Sequence, residues 1–341
     1  MNKVHLVIPN LLLPNEIASD ICSGLRLPAL EKLLARGSSS ASGTVSGDED
    51  FLENDLCALF GTAGDTFSGA PVAPISAAFD GLPDGCWLRA DPVHLHLDQS
   101  RMLLSVVPLT TEDASALCTS LNAHFAGQGM EFFAPHPQRW YVRTDVLPHL
   151  RTKPLSQTIG GDVRGHLPVG EDATRWHGVL NEIQMLLYSH PVNDAREVRG
   201  EFPINSVWFW GGGCSGNVAA KADYEHVSSE NVLPEMFAAA AGVPFSSWSP
   251  NWQEKQGRQL LVWTGLSTAL QRNNLAAWRT ALQDFETGYA QPLLQALRAG
   301  KIERLEIDIA GGQNSRYLGL SRFNALAFWR RSKPLFRYSA V

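Results

Sequence analysis

The sequence predicts an α/β fold, and three observations carry the prediction. Strand-like apolar runs alternate with amphipathic helical patterns along most of the 341 residues. The first of these runs, VHLVIPNLLLP at 4–14, is almost continuously apolar, as suits a strand covered on both faces of a mostly parallel sheet. The composition, 44% hydrophobic and 18% charged, supplies enough apolar surface for a substantial core.

The elements follow in order. After the strand in 4–14 comes LPALEKLLARG at 27–37. Pro28 stands where a first helical turn tolerates it, Leu30, Leu33 and Leu34 share one face, and Gly37 stops the helix. Residues 37–50 are small and polar and read as a loop, and 51–61 reads as a second helix. Residues 62–85 are rich in Gly, Pro and Ala and mark a junction. CWLRADPVHLHLD at 86–98 is a strand pattern, 110–127 a helix with a Thr–Glu–Asp start, and 139–145 a strand. In 172–190, Trp176, Val179, Leu180, Ile183, Leu186 and Leu187 form one apolar helical side. INSVWFWGGG at 204–213 then reads as strand and glycine turn. The last third repeats the rhythm: helix through 227–242, strand at 258–266, a long helix at 275–300, and closing strands from 302 onward. The middle of the chain reads as more irregular than its two ends.

The totals exclude several function classes. A net charge of -6 argues against nucleic acid as a partner. No segment approaches the roughly 20 apolar residues of a membrane span, so no membrane partner is expected. His5, Pro9 and Asn10 interrupt the N-terminal apolar run, which argues against a signal peptide and for a cytoplasmic protein. The cysteines, Cys22, Cys57, Cys86, Cys118 and Cys214, are odd in number and never spaced as CxxC. That pattern points to a reducing compartment, without a disulfide framework or a thiolate zinc site. From Gln313 to Val341 there is no acid but six bases: Arg316, Arg322, Arg330, Arg331, Lys333 and Arg337. The plain reading is a solvated face of two C-terminal strands; a protein partner is the other use.

Candidate chemistry is sparse. WGGGCSGN at 210–217 could bring backbone close to a ligand, but it lacks both P-loop and GxGxxG spacing. His94 and His96 share a strand face without a third ligand nearby. Glu306 and Asp308 share a face of a strand that runs to Gly311 and Gly312, where an acid at a parallel strand's C-terminal end can be functional. No GxSxG or HExxH occurs. HPVNDAREVRG at 190–200 offers His190, Asn193, Arg196 and Arg199 either as an anion site or as a helix-capping loop.

The stretch HPVNDAREVRGEFPINSVWFWGGG at 190–213 resembles a segment of archaeal-type, cofactor-independent phosphoglycerate mutases. CWLRADPVHLHLD, LPALEKLLARG and DLCALFG are similar to further stretches of that family, and the chain also looks like a shorter bacterial group of RpfE-type regulatory proteins. The resemblance implies an alkaline-phosphatase-like α/β core of 1–80 and 206–341 with a mostly parallel central sheet, around a smaller inserted α+β region of 81–205. It also implies two divalent metals and a Ser nucleophile. It implies substrate-side residues at Arg89, His190, Asn193, Arg196, Asn205, Gly211 and Gly213. The catalytic positions depart from the family. The metal-binding Asp-Gly after the first strand falls on Pro9–Asn10, the Gly-Ser-Asp nucleophile loop on Phe51–Leu52–Glu53, and Asp-x-x-Gly-His on VWTGL, while only Asp308 of a late Asp-His pair is kept. The expectation is a pseudoenzyme with no cofactor and no catalytic residue, binding a small anionic metabolite or acting as a regulatory protein. The alternative is an active mutase or phosphatase with an atypical divalent metal site near Asp308.

Overall fold

The computed structural model describes residues 2–39, 52–62, 69–310 and 315–339. The chain forms two compact units, one of residues 1–58 and 221–341 and one of residues 59–220. The expected division was 1–80 and 206–341 around 81–205, so the structure assigns 59–80 and 206–220 to the second unit.

The first unit starts with β1 (Lys3–Val7), α1 (Asn15–Ile21), α2 (Pro28–Arg36), β2 (Ser38–Ser39) and α3 (Leu52–Leu59). β1 is shorter than its apolar run because Pro9 interrupts it and Asn10 turns into the left-handed region at φ 59°. α2 buries Ala29, Leu30, Leu33 and Leu34, as its spacing predicts. Its first amides would be orphans, but the Glu286 carboxylate accepts from the N–H of Ala29 at 2.8 Å and of Leu30 at 2.9 Å. Most of the 37–50 loop lies outside the described residues, as does Phe51.

The second unit holds α4 (Val72–Phe79), β3 (Cys86–Asp98), β4 (Arg101–Ser105), α5 (Thr111–His124), β5 (Met130–His136) and β6 (Arg139–Thr144). It continues with α6 (Leu155–Thr158), α7 (Ala173–Tyr188), α8 (Pro191–Val198) and β7 (Ser206–Cys214). The sheet order is β4-β3-β6-β5, with β7 also paired to β3, all antiparallel. α5 and α7 bury Leu117, Leu121, Trp176 and Ile183 in one core with Trp140, Val142, Val207 and Phe209.

The chain then returns to the first unit through β8 (His226–Ser229), α9 (Val232–Ala240), β9 (Phe245–Ser247), β10 (Arg258–Val262), α10 (Gly265–Gln271) and α11 (Leu275–Phe285). A π-helical segment, Glu286–Ala290, joins α11 to α12 (Gln291–Ala299); β11 (Arg304–Ile309), β12 (Arg316–Ser321) and α13 (Arg322–Leu326) close the unit. The expected closing strands are therefore two strands followed by a short helix. The sheet order is β2-β12-β11-β1-β10-β8-β9, parallel from β11 through β9 and antiparallel at β12 and β2. Val4, Leu6, Leu305 and Ile307 pack on one face of this sheet against Leu30, Leu33, Trp278, Leu282 and Leu293. This is the mixed α/β architecture with a mostly parallel sheet that the sequence predicts.

The expected absence of disulfides is overturned. Cys86 and Cys214 face each other across β3 and β7 and are joined by a disulfide. Their separation in sequence is 128 residues, so spacing alone could not show the pairing.

Candidate functional site

Parallel strands align their C-terminal ends on one edge, and in open α/β sheets ligands bind there. In the first unit β11, β1, β10 and β8 bring Asp308, Asn10, Thr264 and Glu230 to that edge. After β1 the chain stays paired for three more residues, through Ile8 N–H to Asp308 O and Asn10 N–H to Ala310 O, both 2.8 Å. Asn10 Nδ2 then donates to Ser267 Oγ at 2.9 Å. Glu230 accepts from Thr264 N–H at 2.6 Å and from its hydroxyl at 3.2 Å. Burial raises the Glu230 pKa, and those hydrogen bonds oppose the rise. Trp263 follows β10 and stacks on Phe285 at 4.3 Å, while Trp248 stacks on Tyr289 at 4.2 Å.

The described residues at this edge do not fit a pair of divalent metals. Among the described residues no three His, Cys, Asp or Glu side chains come close enough to hold one ion. Where the resemblance implies Asp-x-x-Gly-His, Trp263 supplies a stacked ring and Leu266 a fully buried aliphatic chain. Leu52, at the position implied for the nucleophile, begins α3 with no group that can attack phosphorus. Asp308 is buried at the end of β11.

His5 lies on β1 beside Glu306 in register on β11. Its Nδ1 meets Tyr224 Oη at 2.8 Å, and Nε2 is buried without a hydrogen-bond partner among the described residues. Burial lowers the His5 pKa from 6.5 to about 4, against Glu306, which raises it, and with Arg258, which lowers it further. The 3.9 Å approach to Glu306 is therefore no ion pair at neutral pH; Glu306 pairs instead with Arg258 at 3.0 Å and Arg304 at 2.9 Å. The unfolded chain takes up a proton near pH 6.5, the folded one only near 4. Stability is therefore lost as pH falls through that window, by about 3 kcal/mol in all. Urea unfolding at pH 7 and pH 4.5 should show the drop in the wild type and a smaller one in His5→Gln. An equal drop in both would refute the assignment.

In the second unit the stretch 190–213 is helix and strand, not loop and turn. His190 caps α8: its Nδ1 accepts from Val192 N–H at 3.2 Å, and Nε2 meets Ser120 Oγ at 2.9 Å. Burial lowers the His190 pKa against the pull of Asp194. Asn193 donates through Nδ2 to the carbonyls of Leu187 and Ile204, at 2.8 and 2.7 Å, and accepts from Ile204 N–H at 2.8 Å. Arg196, 1% exposed, donates to the carbonyls of Phe202 and Pro108 and pairs with Glu201 at 3.2 Å and Asp113 at 3.5 Å. Arg199 bonds the same two carboxylates. The Asn205 amide closes on Leu95, accepting from its N–H at 2.7 Å and donating to its carbonyl at 2.8 Å.

Arg89 occupies a separate place on β3. It bonds Asp91 through Nη2 at 2.6 Å and Nε at 3.1 Å, between the rings of Tyr141 and Trp210. Asp91 also accepts from Trp210 Nε1 at 2.7 Å and from Trp140 N–H at 3.3 Å. Gly211 and Gly213 lie inside β7. A Cβ on Gly213 would come within 2.8 Å of Pro71 Cβ, and Gly211 has φ 68°, so these glycines let α4 approach the strand. Of the residues expected to bind an anion, Arg89, Asn193, Arg196 and Asn205 are each bonded within the protein, and Asn205 also lines a cavity with His96, Gln184 and Tyr188. His94 and His96 do stack at 5.4 Å, but without a third ligand. Sequence reasoning missed Asp91, two residues from Arg89 and so on the same strand face. That i, i+2 spacing was the available signal.

No protein-family profile matches the chain. It is similar to 2,3-bisphosphoglycerate-independent phosphoglycerate mutases. The relative from Methanosarcina acetivorans is 25% identical over 205 residues, covering 57% of this chain and 50% of that protein. The Methanosarcina mazei enzyme matches to the same extent, and a probable one from Geobacter sulfurreducens is 38% identical over 67 residues, 20% of this chain and 17% of that protein. The matched stretch thus spans about half the length of the first two relatives. A solved protein from Pyrococcus horikoshii shares the fold at a TM-score of 0.53 and 11% identity, covering 94% of this chain and 87% of that one. A cofactor-independent phosphoglycerate mutase from Thermoplasma acidophilum aligns over 99% of this chain and 94% of its own, at 12% identity and a TM-score of 0.47, too low to build on.

Proposed function

We propose that this phosphoglycerate-mutase-like protein has lost two-metal phosphoryl transfer and acts as a regulatory, binding protein. One observation carries the reading: the ends of β1 and β10 present Pro9–Asn10 and Trp263–Thr264–Gly265–Leu266 at the edge where metal ligands would be needed. A clamp of two dications needs carboxylates and imidazoles converging on each ion. Small-anion binding at Arg89 or Arg196 is not part of the proposal, because their guanidinium groups already hold internal partners.

The test is elemental analysis of protein grown with zinc and manganese, together with a mutase and phosphatase assay. We expect substoichiometric metal, no turnover on 3-phosphoglycerate, and a thermal midpoint unchanged by a chelator. Two tightly bound equivalents of metal, with turnover that chelation abolishes and Asp308→Ala removes, would establish the active-enzyme alternative instead.

A further inference from the structure

Between Arg316 and Ser339 the chain has bases but no acids. β12 ends at Ser321, whose hydroxyl accepts from Asn324 N–H while Asn324 Oδ1 accepts from Ser321 N–H, a capping box that starts α13. α13 buries only Ala325. Its carbonyl is gripped by Arg36 at 2.6 Å and by Arg298 at 3.2 Å. Arg330 donates to Arg36 O at 3.0 Å, and Ala327 and Leu335 are buried on either side of the segment. The segment is therefore anchored.

Its outward side chains are apolar. Phe323 is 74% exposed, Leu326 52%, Phe328 81% and Trp329 59%. The rings touch edge to face, Phe328 to Trp329 at 5.3 Å and Phe323 to Trp329 at 6.3 Å. Arg322, Arg331 and Lys333 beside them are exposed, and among the described residues none pairs with a carboxylate. A cluster of this kind is removed from water only at a cost in charge unless its partner is anionic.

We propose that this aromatic and basic patch docks the protein peripherally on an anionic lipid bilayer. The rings protrude instead of lining a groove, and a lipid interface accepts protruding apolar groups without a complementary shape. Trp and Phe favour the depth of the headgroups, and arginines beside them meet lipid phosphates. A second copy is disfavoured because each patch would bring the same positive charge. No described helix is long and apolar enough to cross a membrane, and a peripheral contact needs none. The inference is independent of whether the protein has lost phosphoryl transfer.

The experiment is co-sedimentation of the full chain with vesicles of phosphatidylcholine alone and of phosphatidylcholine containing about one third phosphatidylglycerol. Sedimentation should occur with the anionic vesicles only and weaken with salt. Phe328→Ser/Trp329→Ser and Arg331→Glu/Lys333→Glu should each lower partitioning by about tenfold or more. Their side chains face water, so thermal midpoints should stay near the wild type, and Trp329→Phe should remove part of any vesicle-induced blue shift in fluorescence. Equal sedimentation with both vesicles, or wild-type binding by either double variant at an unchanged midpoint, overturns the proposal. So does binding of polyglutamate without binding of vesicles, which would assign the patch to an acidic protein partner.

Discussion

Asp91→Ala should unfold the protein more easily by about 3–5 kcal/mol, the loss typical when one member of a buried ion pair is removed. Asp91 is 1% exposed and is the acceptor on which three donors converge: Arg89, Trp210 Nε1 and Trp140 N–H. Removing it leaves the Arg89 guanidinium buried beside two aromatic rings without its bonded carboxylate, and the other acid whose charge it feels, Asp80, is already bonded to Arg139 and Tyr141. Each ring offers an attraction of about 2 kcal/mol, which offsets only part of the several kcal/mol that burying an unpaired cation costs. Replacing both partners is a different experiment. Arg89→Met/Asp91→Leu removes the charge but still leaves Trp210 Nε1 and Trp140 N–H without their acceptor, so it should recover only the part of the loss that comes from the stranded guanidinium. Urea unfolding of the two variants separates the readings. If Asp91→Ala costs less than about 1 kcal/mol, Asp91 is not the hub described here; if the double variant is as unstable as the single, the stranded guanidinium is not the source of the loss.

The same pair shows how far the sequence could be read. Cys86–Asp98 is visible as a strand from its apolar and alternating residues, and Arg89 as a residue of interest from the family resemblance. Its partner Asp91 is marked by i, i+2 spacing, but the Trp210 contact to Asp91 is not visible, since Trp210 lies 119 residues away in sequence and meets it only once β7 pairs with β3. α7 was legible for the opposite reason: its buried side is wholly apolar and repeats at helical spacing. α8 was read as a loop because the residues it buries, Asn193 and Arg196, are polar. Apolar periodicity cannot reveal a helix whose inner face is held by hydrogen bonds. Its start was nonetheless written in His190–Pro191, a side-chain cap followed by proline at the first helical position. The glycines at 211–213 were read as a turn because glycine is the residue of turns. Here Gly211 and Gly213 let the strand lie against Pro71, Val72 and Pro74, while Gly212 faces Leu88 and Leu147; this is a tertiary requirement, to which Gly211 adds a φ of 68°.

Cys86→Ser/Cys214→Ser should lower stability by about 4–5 kcal/mol, because the bond closes a loop of more than a hundred residues in the unfolded chain. The disulfide joins directly opposed residues at the end of the β3–β7 ladder, where Ser215 N–H to Gly85 O at 3.0 Å continues the pairing. Both ends lie in the second unit. Hydrogen exchange should therefore speed up in residues 59–220 and leave β1, β10 and β11 nearly unchanged. Dithiothreitol should reproduce the loss in the wild type and do nothing to the variant. A thiol count in denaturant without reductant tests the bond itself: Cys22, Cys57 and Cys118 are the remaining, buried thiols, so three groups should react. Five reactive thiols would mean that the reduced state expected from the cysteine pattern is the one the protein adopts, and that two strand ends, close enough to be bonded, are held by the ladder alone. The outcome also bears on the phosphoglycerate-mutase likeness. If the bond is present, the second unit gains its order from a covalent tie that leaves the metal-poor sheet edge of the first unit untouched. Reduction should then weaken the protein without altering whatever that edge still binds.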